Sequence, residues 1–199
     1  MLVRFAGVPL SAANVGLAPV EQLLAVVDSL AALHKGNLLH ADVRPTNMLL
    51  QGNIVRLADL GASVKSAAGR LPSCGTVTTA CPRVLESLLA AASSTAAAAA
   101  SESKGDVKLE AKEEAPAAAA VVHEHRASDD LQSFVRSCYL LKNGGLAEQV
   151  RGFRERREWT SLKDFWQTVF AERPPWRECD ALAESGDYDA LKKALAVLL

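Results

Sequence analysis

The chain has 199 residues, 49% of them hydrophobic, and a formal net charge of −1. That length suits one domain with a sizeable core, and a near-neutral balance without a basic stripe excludes a dedicated nucleic-acid binder. No window approaches the roughly 18 uninterrupted apolar residues of a membrane span, so no membrane partner is expected. The start, Met1-Leu2-Val3-Arg4-Phe5, is too short an apolar run for a secretion signal. Cys74, Cys81, Cys138 and Cys179 are scattered with no C-x-x-C pair, the pattern of free thiols in a cytoplasmic protein.

Leu2 to Phe5 reads as the end of a strand, and Ala6-Gly7-Val8-Pro9 as the turn leaving it. Pro19 to Lys35 is predicted as a helix. Val20, Leu23, Leu24, Val27 and Leu30 recur at helical spacing, Pro19 suits a first turn, and Lys35-Gly36 supplies the stop. His34 reads as a packing or surface residue of this helix. Met48-Leu49-Leu50 and Ile54-Val55-Arg56-Leu57 are short apolar runs joined by Gln51-Gly52-Asn53, a hairpin signal. Such a hairpin sets Asn47 at its entry beside Asp59 just beyond its exit.

Residues 62 to 80 are small and polar, as in a mobile segment. From 90 to 126 Ala and Ser dominate, followed by a charged run and Ala-Pro-Ala-Ala-Ala-Ala. With no apolar stripe to bury, this reads as a disordered or loosely helical low-complexity insertion. His123 and His125 in it read as solvated bystanders. Ser128 to Leu141 is a helix with a wide apolar face of Leu131, Phe134, Val135, Cys138 and Leu141, its cap and N-terminal charge coming from Ser128-Asp129-Asp130. The remainder reads as helical. Leu162, Phe165, Trp166 and Val169 form one stripe, Arg173-Pro174-Pro175-Trp176 a break, and Tyr188, Leu191 and Leu195 the start of a last helix. Arg151, Arg154, Arg156 and Arg157 form a basic cluster, ordinarily a solvated face and at most a docking patch.

The chemistry concentrates in His40-Ala41-Asp42-Val43-Arg44-Pro45-Thr46-Asn47 and Ala58-Asp59-Leu60-Gly61. Asp42 is spaced to orient or deprotonate a hydroxyl, while Asn47 and Asp59 offer hard oxygens of the kind magnesium prefers. Each motif alone also reads as turn residues, around Pro45 and after a strand. Together they resemble the catalytic loop and metal-binding loop of eukaryotic-type protein kinases, H-R-D-x-x-x-x-N and D-F-G. Gly75-Thr76-Val77-Thr78-Thr79-Ala80-Cys81-Pro82-Arg83 is similar to that family's G-T-x-x-[YT]-x-A-P-E. Asp129-Asp130-Leu131-Gln132-Ser133-Phe134 resembles the start of its central helix.

The resemblance implies an α+β, mainly helical fold: a kinase-like large (C-terminal) lobe with small β-hairpins at the active site and no complete N-terminal lobe. It covers 1–199 as hinge and lobe, interrupted at 90–126. It is of serine/threonine type, with a finer likeness to fungal-type kinases. It implies ATP and Mg2+ as cofactors and a protein substrate or protein partner. Asp42 would be the catalytic base, Arg44 would replace the family's lysine at the γ-phosphate, and Thr76 would bond the catalytic aspartate. Asn47 and Asp59 would hold nucleotide and metal, and Asp130 would hold the catalytic-loop backbone. Three departures bear on this. Ala41 stands in place of an arginine, Arg83 in place of a glutamate that pairs near the C-terminus, and no G-x-G or lysine precedes Lys35. Two functions therefore stay open: a protein kinase, or a pseudokinase or truncated lobe that serves as an interaction module.

Overall fold

The computed structural model describes residues 7–66, 70–72, 77–102 and 122–199, with the backbone alone at 70–72, 95–102 and 122–123. It is mainly helical, with small antiparallel sheets. The expected strand at Leu2–Phe5 lies outside the described residues. The expected turn after it is instead strand β1, Val8–Pro9, paired with β3, Met48–Gln51, in the register Val8↔Leu50. Pro9 is tolerated there because β1 is an edge strand.

Helix α1, Val20–Lys35, buries Leu23, Val26, Val27 and Leu30, a single stripe at helical spacing. Its end differs from expectation in one detail. Gly36 keeps φ −80°, and Asn37 takes the left-handed conformation at φ 57°, which asparagine tolerates better than most residues. The chain then forms β2, Leu38–Leu39, passes through the loop 40–47, and enters the hairpin of β3 with β4, Ile54–Leu57. The turn is Gly52-Asn53, with Gly52 at φ 57°.

Part of the segment expected to be mobile is paired. Strand β5, Val64–Lys65, lies against β2, and β6, Arg70–Pro72, against β7, Val122–Glu124. The expected insertion also holds structure at both of its ends. Helix α2 runs from Pro82 to Glu102, because Val84 and Leu85 anchor its first turn in the core and alanine, the best helix former, propagates what that turn nucleates. Residues 103–121 lie outside the described residues.

Helix α3, Ala127–Lys142, is buried from Asp129 to Leu141 except at Ser133. Arg126, not Ser128, is its N-cap, and the Asp129 carboxylate at the third helical position accepts the Arg126 N–H at 2.9 Å. Helices α4, Gly144–Glu155, α5, Trp159–Glu172, and α6, Pro174–Ser185, pack against it, and α7, Tyr188–Leu198, packs on α6 and α1. The break expected at 173–176 is narrower than predicted, since only Arg173 separates α5 from α6 and Pro174 opens the new helix. Gly186, at φ 73°, ends α6 with Gly186 N–H and Asp187 N–H bonded back to Ala183 and Leu182. Asp187 then caps α7, accepting from Ala190 N–H at 3.0 Å. Among the described residues no helix is long and apolar enough to cross a membrane.

Candidate active site

The loop 40–47 is suspended from the buried start of α3. The Asp130 carboxylate, 3% exposed, accepts the N–H of His40 at 2.7 Å and of Ala41 at 2.8 Å. This is the contact the sequence suggested for Asp130. Two successive N–H groups converge on it because Ala41 sits at φ 61°, a conformation alanine avoids unless its surroundings enforce it. His40 is fully buried and acts as a strut. Its Nε2 donates to the Ala58 carbonyl at 3.0 Å while Nδ1 accepts the Asp42 N–H at 3.3 Å.

Asp42, Arg44 and Asn47 form one cluster. The Asn47 amide nitrogen donates to the Asp42 carbonyl at 2.9 Å and to Asp42 Oδ2 at 2.8 Å. Arg44 Nε lies 3.1 Å from the same Oδ2, and the Asp42 side chain is 10% exposed. Asp59 joins through the backbone. Ala58 N–H donates to the Asn47 carbonyl at 2.8 Å, so Asp59 follows directly on a bond to Asn47. Asp59 is left-handed at φ 63° and its Oδ1 accepts Gly61 N–H at 3.2 Å. Thr76 lies outside the described residues.

Several supports escaped the sequence reading. Thr79 Oγ1 donates to the Val43 carbonyl at 3.0 Å, tying the segment before α2 to the loop. Its only sequence signal was its place in the Gly75–Arg83 run. His34 is a working member of the site's foundation. Its Nε2 donates to Asp130 Oδ2 at 2.9 Å, and its Nδ1 accepts the Tyr188 hydroxyl at 2.6 Å. Burial, then the Asp130 charge, pushes the Tyr188 phenol above its ordinary range. Arg83, out of place in the family pattern, pairs with Asp129 Oδ2 at 2.7 Å and donates to the Glu124 carbonyl. Cys81 donates to Asp129 Oδ1 at 3.1 Å, and burial, with Asp129 beside it, pushes its thiol up to about 12.

The donor set is hard oxygen from an amide and a carboxylate, which suits magnesium. Among the described residues no group of three or more His, Cys, Asp or Glu is gathered to hold a metal ion. Two protein ligands fit an ion that retains its waters and completes its shell on substrate phosphates.

No family model matches the chain. It is 36% identical over 63 residues to an Aurora kinase of Candida glabrata (strain ATCC 2001), a match over 30% of this chain and 18% of the relative. The chain thus spans less than a fifth of the length of the curated relative it matches. That similarity supports a protein kinase relationship at a coarse level.

Proposed function

We propose that the chain is a protein-kinase-like lobe that transfers a phosphoryl group from Mg-ATP to a serine or threonine hydroxyl of a protein. The observation that carries this reading is the junction of Asp42, Asn47 and the hairpin end preceding Asp59, hung from Asp130. Asp42, steadied by Asn47 and Arg44, orients the acceptor hydroxyl and takes its proton. The acceptor oxygen bonds to the γ-phosphorus as the bond to the β-phosphate oxygen breaks, and ADP leaves. Arg44 offsets charge on the transferred group. The Asn47 amide oxygen and the Asp59 carboxylate hold magnesium, which when bound neutralises phosphate charge. Thr76 is assigned to Asp42 by the family pattern alone. The whole of 1–199 is read as one such domain with its insertion at 90–126. Its location is read as cytoplasmic, in keeping with free thiols at Cys81, Cys138 and Cys179.

Calorimetric titration with ATP, with and without magnesium, tests the assignment. Weak magnesium-dependent binding is expected, abolished by Asp59→Ala and largely kept by Asp42→Ala. Tight binding without magnesium, or no loss in Asp59→Ala, overturns these roles. One observation favours the second reading, an interaction module without catalysis. Leu60, the central residue of the Asp59-Leu60-Gly61 turn, is 52% exposed, so its side chain does not anchor the metal loop to the core. Absence of nucleotide binding in every variant supports that reading.

A further inference from the structure

The four arginines that look alike in the sequence divide in three dimensions. Arg156 pairs with its neighbour Glu158 and lies over the Phe153 ring, while Arg157 occupies a left-handed turn at φ 56°. Arg151 and Arg154 instead project from α4, one turn apart, into a cleft of about 410 Å³. Arg44 of the catalytic loop also lines it, so the cleft opens beside Asp42. The floor is apolar, with Leu141 and Val150 buried beneath it. Among the described residues Glu148 is the one carboxylate in the wall, bonded to Arg151 at 2.9 Å. Among the described residues, no carboxylate pairs with Arg154.

Of the three guanidinium groups that line it, Arg44 is paired with Asp42 and Arg151 with Glu148, so Arg154 is the uncompensated cation among the described residues and makes this a locally cationic recess on a chain whose formal net charge is −1. Arginine forks match carboxylates in two-point contacts, and an apolar floor accepts the stem of the side chain that carries them. We infer that the cleft binds an acidic segment of a partner protein, seating Asp or Glu side chains on Arg151 and Arg154 next to the Asp42 loop. That the segment is a substrate, with its hydroxyl delivered to Asp42, rests on the phosphoryl-transfer reading. The docking itself does not.

The test is fluorescence anisotropy with the full chain and a labelled peptide of Asp and Gly residues around one serine. A control peptide carries Asn for each Asp. The acidic peptide is expected to bind, and to weaken as salt is raised. The Arg151→Ser/Arg154→Ser chain is expected to bind it about five- to tenfold more weakly. Arg156→Ser/Arg157→Ser, with the same change in net charge outside the cleft, is expected to leave binding unchanged. Equal affinity for the two peptides, or equal losses in the two double variants, overturns the inference. So does a polyuridine oligonucleotide that binds more tightly than the acidic peptide. A chain that binds Mg-ATP but not the acidic peptide overturns this inference alone. A chain that binds the peptide at the two arginines but no nucleotide upholds the docking site and overturns the phosphoryl-transfer reading.

Discussion

The N–H groups of His40 and Ala41 point into the protein, where water cannot replace a lost acceptor, and Asp130 serves both of them and His34 as well. A buried donor left without a partner costs about 1–3 kcal/mol. Asp130→Ala is therefore expected to lower stability by about 2–4 kcal/mol in denaturant unfolding, since relaxation recovers part of the sum. Asp130→Asn keeps one acceptor oxygen but turns an amide N–H toward a backbone N–H or toward His34. It should fall between wild type and alanine. A nearly neutral Asp130→Ala would show that the loop hangs from something else. Thr79 is one other candidate, since its hydroxyl reaches the same loop at Val43.

At the scale of elements, the segment after β1 approaches the first residue of α4 closely. A Cβ added at Gly144 would stand 2.3 Å from the Ala12 Cβ, with the Ala12 Cα at an ordinary 3.8 Å. Gly144→Ala is expected to cost about 1–3 kcal/mol as an overpacking change. Ala12→Gly removes the colliding atom, so the double variant should recover most of that loss, a coupling that a two-variant cycle reads directly. Additive losses would mean that the segment simply shifts aside. This contact was invisible in the sequence, because nothing local marks Ala12 as the neighbour of Gly144. The elements that were legible share a cause. In α1 and α3 the apolar period matches the buried face, and in the β3–β4 hairpin the turn chemistry matches the pleat. Val8-Pro9 was misread because a two-residue edge strand carries no period. Residues 90–102 were underestimated because alanine has little to bury yet extends a helix already anchored at Val84 and Leu85. For the candidate site, Asp42 and Asn47 were legible as neighbours through loop spacing. The bonds of His34 to Asp130 and Tyr188 were not, since they join residues 96 and 154 positions apart.

Across the whole molecule, three helices meet on one buried charge. Arg136 of α3 is fully buried, its guanidinium 5.6 Å from the Trp166 ring centroid and 5.1 Å from that of Phe170 on α5. Its Nη1 lies 3.0 Å from Asp180 Oδ1 of α6, its Nη2 donates to Asp180 Oδ2 at 3.4 Å, and Gln132 donates to the same Oδ2 at 3.2 Å. Desolvating an ion pair offsets most of its attraction, whereas removing one partner leaves an uncompensated charge. The two halves of the pair should therefore respond differently to deletion. Asp180→Ala strands a guanidinium that does not readily lose its proton, and a loss of about 3–5 kcal/mol is expected, nearly constant between acid and neutral pH. Arg136→Met strands a carboxyl that can protonate. Burial already pushes the Asp180 carboxyl above its ordinary 3.8, with Glu184 adding to the rise and Arg136 opposing it. Without Arg136 it rises further. A carboxyl raised in the folded state carries no penalty below its unfolded pKa, where both states are protonated, and loses stability as pH climbs and only the unfolded chain ionises freely. The deficit of Arg136→Met should thus be smallest near pH 4 and grow toward pH 7. In Arg136→Met/Asp180→Ala no charge is stranded, so the double variant should be more stable at neutral pH than Asp180→Ala alone. Denaturant unfolding of the three variants at both pH values checks this. A pH-independent deficit in Arg136→Met, or strictly additive losses in the double variant, would show that the pair is not what joins α6 to α3.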